Sequence, residues 1–185
     1  MSGRSLELRV ENIVAIMNVS CDLDLAKLAH KIPGAVFNSK RFPGLIFKIK
    51  KPRASVLAFR TGRIVCAGMR SEMEALAVVK KVTEILKDAG VNVREMKASI
   101  QNIVTSANLG GTIDVEEAAS ALGKTMYEPD QFPAVIYRMD EPKVTMLIFS
   151  TGKIVCAGAK NEEEASKAIE KLRLILEKKG IIKYA

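Results

Sequence analysis

The chain of 185 residues has only one histidine, His30. With a single imidazole, neither a histidine-based metal cluster nor a His-dependent catalytic triad is expected. There are three cysteines, Cys21, Cys66 and Cys156. They cannot form a paired disulfide framework, which points to a reducing compartment. No run approaches the roughly 18 apolar residues that a membrane span needs. The opening MSGRSLELRV lacks the apolar core of a signal peptide, so a cytoplasmic location is expected. Gly110-Gly111 reads as a loop signal and not as a phosphate-binding motif. Nothing here suggests an enzyme or a cofactor.

Acidic residues are also in short supply. The chain has 29 basic and 21 acidic side chains, a net charge of +8 and a pI near 9.4. That balance raises the expectation of a polyanionic partner without establishing one. Apolar residues make up 48% of the chain, too many for disorder.

An internal duplication dominates what is present. VENIVAIMNVSCDLDL from Val10 lies over IQNIVTSANLGGTIDV from Ile100, and the same offset holds without a gap to Val93 and Lys183. About 25 of about 84 aligned pairs are identical, a density that chance rarely produces. Two copies are too few for a solenoid. They suggest a pseudo-two-fold protein, like a homodimer fused into one chain. The expected division is 1–93 for the first repeat and 94–185 for the second.

Each repeat reads as β-α-β-β-β-β-α. A long alternating strand runs from Leu6 to Val19 and again from Lys97 to Leu109. A short helix follows, with Asp24 or Asp114 placed as N-cap. Ala35–Asn38, Leu45–Lys50, Ala54–Arg60 and Arg63–Ala67 read as short strands, with a tight turn at Thr61-Gly62. A long helix closes each copy, Ser71–Asp88 and Asn161–Lys179. Ser71-x-x-Glu74 and Asn161-x-x-Glu164 resemble capping boxes, and Gly90 and Gly180 are candidate terminators. This order predicts an α+β fold, an antiparallel sheet with helices on one face.

The strands are apolar on both sides. Val56 and Ala58 oppose Leu57 and Phe59, and Ile64 and Cys66 oppose Val65 and Ala67. Periodicity alone favours burial of both faces. The shortage of helices to cover a second face argues the other way, for a broad apolar surface rimmed by Arg41, Lys48, Arg63, Arg70, Arg138, Lys153 and Lys160. A ligand apolar within and anionic at its edges would suit it, as the minor groove of DNA does.

Asn12-Ile13-Val14, Arg41 to Phe47, Leu57 to Gly62 and Ile64 to Gly68 resemble the core of the TATA-box-binding protein family. So do Gln101 to Val104, Tyr127-Glu128-Pro129, Phe132-Pro133 and Leu147 to Lys153. The resemblance covers essentially the whole chain and is to the minimal archaeal type. It implies a curved, ten-stranded antiparallel saddle with four helices on the convex face. The concave face would sit on a widened minor groove, and the kink of about 80° is a figure known for the family, not inferred from these residues.

Carried over residue by residue, Phe42 and Phe59 in the first half, and Phe132 and Phe149 in the second, would wedge between base steps. Pro43 and Pro133 would lie beside them and contact the minor groove. Asn12 and Asn102 would bond acceptors in the groove. Val14, Leu57, Val65, Val104, Leu147 and Val155 would cover its floor, together with Ala67 and Ala157. The rim cations would meet phosphates. Glu128 and Asp130 would bind transcription factor B, and RNA polymerase would follow indirectly. The first-half counterpart, Asn38-Ser39-Lys40, is basic where that loop is acidic. A weak homodimer off DNA is a further expectation.

Two features depart from the family. Ala67 and Ala157 stand where threonine is common, so their hydroxyls are missing and readout there would rest more on DNA shape. The rim is uneven too, with Gln131 opposite Arg41. A protein-interaction scaffold of the same fold and a small-ligand-binding domain remain as alternatives.

Overall fold

The computed structural model describes residues 6–185. It divides into two compact units. The first is Asn12–Gln101; the second holds Asn102–Ala185 together with residues 6–11.

The first half of the chain runs β1 (Leu8–Asn18), α1 (Leu25–Lys31), β2 (Val36–Phe37), β3 (Gly44–Ile49), β4 (Ala54–Phe59), β5 (Arg63–Met69) and α2 (Glu72–Asp88). Its strands are ordered β2-β3-β4-β5-β1, and every pairing among them is antiparallel. The second half runs β6 (Lys97–Asn108), β7 (Gly111–Ile113), α3 (Val115–Ala121), β8 (Thr125–Met126), β9 (Ala134–Met139), β10 (Val144–Phe149), β11 (Lys153–Ala159), α4 (Glu162–Lys178) and β12 (Ile182–Tyr184). The order β6-β11-β10-β9-β8 repeats the first pattern. The expected ten-stranded antiparallel sheet and four helices are thus present.

The helices form where local chemistry starts and stops them. Asp24 and Asp114 accept the backbone N–H groups of Lys27 and Glu117, capping α1 and α3. Ser71 Oγ accepts from Glu74 N at 3.0 Å, and Asn161 Oδ1 accepts from Glu164 N at 2.7 Å. The return half of the first capping box is displaced, because Glu74 takes its bond from the N–H of Arg70 instead of Ser71. Both long helices end in a left-handed glycine, Gly90 at φ 89° and Gly180 at φ 70°. Val91 N bonds Leu86 O and Ile181 N bonds Leu176 O, so two carbonyls that the helix leaves over are satisfied.

The buried faces of α2 and α4 supply most of the helical core. Val78, Val82 and Leu86 have no exposed surface, nor have Ala168, Leu172 and Leu176. They pack on the sheet face that carries Val56, Ile64 and Cys66 in one unit, and Met146, Ile154 and Cys156 in the other. The opposite faces of the same strands carry Leu57, Phe59 and Val65, or Leu147, Phe149 and Val155, all part-exposed. The expectation from periodicity alone, burial on both sides, is therefore overturned. Each unit has helices for one face only.

A second correction concerns Gly110-Gly111. Gly111 begins β7, which pairs with β12 in a small two-stranded sheet, Ile182 opposite Ile113 and Tyr184 opposite Gly111. A Cβ on Gly111 would come within 2.8 Å of the Lys183 carbonyl oxygen, so close strand approach requires glycine there. At the matching place in the first half stands Cys21, and no strand forms there.

The duplication also exposes a strained residue. Ser20 sits at φ 58°, where its counterpart Gly110 sits at φ 75°. A left-handed residue with a Cβ costs roughly 1–2 kcal/mol, partly offset by the extra chain entropy of glycine. Ser20→Gly is expected to stabilise the protein by about 0.5–1 kcal/mol, read as a higher denaturation midpoint with unchanged slope.

Candidate nucleic-acid interface

Each open face is built by alternation. On β1 the part-exposed residues are Asn12, Val14 and Ile16, and their neighbours Ile13, Ala15 and Met17 are buried. On β5 they are Val65 and Ala67, and on β4 Leu57 and Phe59. Ladder register brings Leu57 opposite Val65, and Val14 opposite Ala67. The second unit repeats this, with Leu147 opposite Val155 on its own part-exposed face beside Val104 and Ala157. The predicted groove-floor residues of each unit therefore share one surface. Ile46, Ile136 and Thr145 lie on the same surfaces and were missed. Period-2 counting from Lys48 and Arg138 would have found the two isoleucines.

The two asparagines are held in a particular way. The register of β1 on β5 shifts between Ile13 and Val14, and that of β11 on β6 between Cys156 and Ala159. The residues left over, Gly68 and Gly158, adopt φ 102° and 103°. Such bulges take a backbone N–H out of the ladder. Asn12 Oδ1 accepts the Gly68 N–H at 2.7 Å, and Asn102 Oδ1 accepts the Gly158 N–H at 2.6 Å. An N–H donor fixes which end of the amide faces it. The oxygen is thus used internally, and each NH2 keeps its two donors for a ligand.

The four phenylalanines form two pairs. Phe42 and Phe59 meet edge to face at 5.8 Å between ring centres, Phe132 and Phe149 at 6.0 Å. Turns position them: Phe42 N and Phe132 N bond the carbonyls of Asn38 and Glu128. Phe59 O and Phe149 O accept from Gly62 and Gly152 in the tight turns at Thr61-Gly62 and Thr151-Gly152. The pairs differ in one respect. Gly44 lacks the Cβ that would approach Phe42 Cε1 to 2.7 Å, and Phe42 lies part-buried. Ala134 occupies the matching position, and Phe132 is 40% exposed. Pro43 and Pro133 are exposed beside the rings.

The rim is cationic. Arg41, Lys48, Arg63, Arg70, Arg138, Lys153 and Lys160 are all exposed. Among the described residues none of the seven takes part in an ion pair. Glu128 and Asp130 are also exposed and make no ion pair among the described residues. Two thiols sit on the helix-covered faces. Burial pushes Cys66 up to about 12 and Cys156 up to about 11, which keeps both protonated at neutral pH. No group of three His, Cys, Asp or Glu suited to a metal occurs among the described residues. No helix among them is long and apolar enough to cross a membrane.

Each unit therefore presents a part-exposed apolar face bearing one outward amide NH2, an aromatic pair at a turn, and exposed cations without an ion-pair partner among the described residues. A family profile described as "Transcription factor TFIID (or TATA-binding protein, TBP)" matches residues 7–89 and again 97–179. The chain belongs to the TATA-binding-protein family. Within that family, a TATA-box-binding protein of Pyrobaculum calidifontis is 45% identical over 183 residues, covering 98% of this chain and 92% of its own. One from Methanothermobacter thermautotrophicus is 38% identical over 178 residues, covering 96% and 98%. A solved structure, Methanococcus jannaschii TBP, superposes with a TM-score of 0.85 at 36% identity, covering 93% of this chain and 99% of that one. The family's duplicated architecture is the one found here.

Proposed function

We propose that the chain is a general transcription initiation factor that binds the minor groove of A·T-rich, TATA-like promoter DNA. It bends the duplex and nucleates assembly with transcription factor B and, through it, RNA polymerase. The observation that carries this reading is the outward NH2 of Asn12 and Asn102, fixed by the Gly68 and Gly158 N–H groups on an apolar surface. An amide donor on such a surface is costly unless it meets an acceptor. A·T pairs offer only acceptors in the minor groove, adenine N3 and thymine O2, whereas guanine adds an amino donor. Donor facing donor excludes G·C at the centre of the site.

Val14, Leu57 and Val65, with Val104, Leu147 and Val155, supply apolar contact to sugars and base edges. The phenylalanine pairs open base steps at the ends of the site. Unstacking costs a few kcal/mol per step, offset by ring–base stacking and by the surface that a bent duplex presents. The rim cations meet phosphates. Family membership supports the same reading. A protein-interaction scaffold or a small-ligand domain would make no use of an outward amide donor held in the same way in each unit.

Titration against an A·T-rich and a G·C-rich duplex at several salt concentrations tests the reading. It requires a clear A·T preference and an affinity that falls as salt rises. Equal affinity for the two duplexes would overturn it in favour of the other classes.

Transcription factor B is assigned to Glu128 and Asp130. Their first-half counterparts are Asn38 and Lys40, so a basic partner is attracted to one loop and repelled by the other. Glu128→Arg is expected to leave DNA binding unchanged and to weaken the ternary complex about tenfold, or about 1.4 kcal/mol. A ternary complex of unaltered affinity in a gel-shift titration would remove the assignment.

A further inference from the structure

We infer that the first unit carries a DNA-phosphate site, centred on Lys50, that the second unit lacks. The inference rests on the DNA-binding reading and adds an asymmetry to it.

Alternation along β3 puts Ile46 and Lys48 on the open face, and Lys50 continues the same series. These three side chains border a concavity of about 1060 Å³, together with Arg53 and Ala67. Gly34 also lines it, and a Cβ built there meets nothing within 4 Å. Lys48, Lys50 and Arg53 are exposed, and among the described residues none has an anionic partner. Three unpaired cations around a concavity continuous with an apolar face form an anion site, and the anion the proposed ligand brings to its own edge is a backbone phosphate.

The second unit keeps two of the three cations, Arg138 and Lys143 matching Lys48 and Arg53, but reverses the charge at the central one. Asp140 stands where the first unit has Lys50, Glu141 where it has Lys51, and Lys124 where it has Gly34. Lys124 Nζ donates to both Asp140 oxygens at 2.7 Å. Lys124 holds this position at φ 42°, the left-handed region that Gly34 also occupies. The cation at this place is thus already paired, and the residue matching Lys50 repels phosphate. Charge reversal at one register position, with its partner added across the gap, makes one half grip the backbone more strongly than the other. Unequal grip gives a pseudo-symmetric protein a preferred direction on an asymmetric site.

The test uses the full chain and an A·T-rich duplex with flanking sequence. Each lost phosphate contact lowers the slope of log K against log salt by about 0.9. Lys50→Asp is expected to reduce the slope by about one, and Lys50→Ala nearly as much. Asp140→Lys, which adds a cation, breaks the internal pair and frees Lys124, is expected to raise it by up to about two. A cleavage reagent tethered near the loop of Glu128 and Asp130 reads orientation: Lys50→Asp should even out the two cleavage positions. If wild type binds and bends the A·T-rich duplex but these variants leave slope and cleavage pattern unchanged, the inference is wrong and the DNA reading stands. If wild type shows no A·T preference, the DNA reading itself has failed.

Discussion

Replacing Asn12 and Asn102 together by aspartate is expected to abolish selective DNA binding while leaving the fold intact. A carboxylate oxygen can still accept the Gly68 and Gly158 N–H groups, which now lie 2.7 and 2.6 Å from the amide oxygens. Shape and bulge are therefore preserved. What changes is the outward group. Two NH2 donors become two charged acceptors facing adenine N3 and thymine O2, inside a groove walled by phosphates. Each loses a hydrogen bond and gains a desolvated, unpaired charge, at a cost of about 2 kcal/mol or more. The double variant should bind A·T-rich duplex at least about a thousandfold more weakly. Its thermal midpoint should move little. A variant that still prefers A·T over G·C would show that the amides are not the reading groups.

The second large effect belongs to the second-unit rings. Phe132→Ala with Phe149→Ala is expected to lose DNA bending and to weaken binding by about 3 kcal/mol, on the order of a hundredfold. Aromatic stacking on a base contributes about 1–3 kcal/mol per ring, and the edge-to-face pair in the free protein is worth about 1 kcal/mol. The initial encounter depends on the cationic rim, which is untouched, so the association rate should change much less than the dissociation rate. Stopped-flow kinetics on end-labelled duplex separates the two. The rings of the first unit provide an internal comparison, since Phe42 is the more enclosed, lying over Gly44.

Much of this was legible in the sequence because it is repeated there. One offset of the chain on itself located the strands, the long helices and the pairing of phenylalanines and asparagines. N-caps at Asp24 and Asp114 were readable because the capping oxygen lies three residues from the N–H it accepts. The open face was harder. Leu57, Val65 and Ala67 are as apolar as their buried neighbours, so alternation could not tell core from surface; only the shortage of helices could. Long-range contacts left no local trace. The Asn12–Gly68 bond spans 56 residues of sequence and depends on a bulge that no pattern announces. β7 and β12 were hidden because Gly111 is a turn residue by composition but serves close packing against Lys183 and Tyr184. Family resemblance named the contact residues; the bulge explains why the amides face outward.

The charge excess also takes on a location. Between residues 10 and 93 there are 14 basic and 7 acidic side chains, against 11 and 12 between residues 100 and 183. The reversal at Lys50 and Asp140 is one residue-level source of that imbalance. A polyanion partner could have been guessed from net charge, but a direction along it could not.

End-to-end fluorescence transfer on a short duplex reads binding and bending together. Donor and acceptor are placed at the two ends of an A·T-rich duplex, and saturation is followed independently by anisotropy. Transfer is expected to rise and saturate with binding, to stay flat on the G·C-rich duplex, and to rise much less with the Phe132→Ala, Phe149→Ala variant. Saturated binding of the A·T-rich duplex with unchanged transfer would contradict the proposed bending.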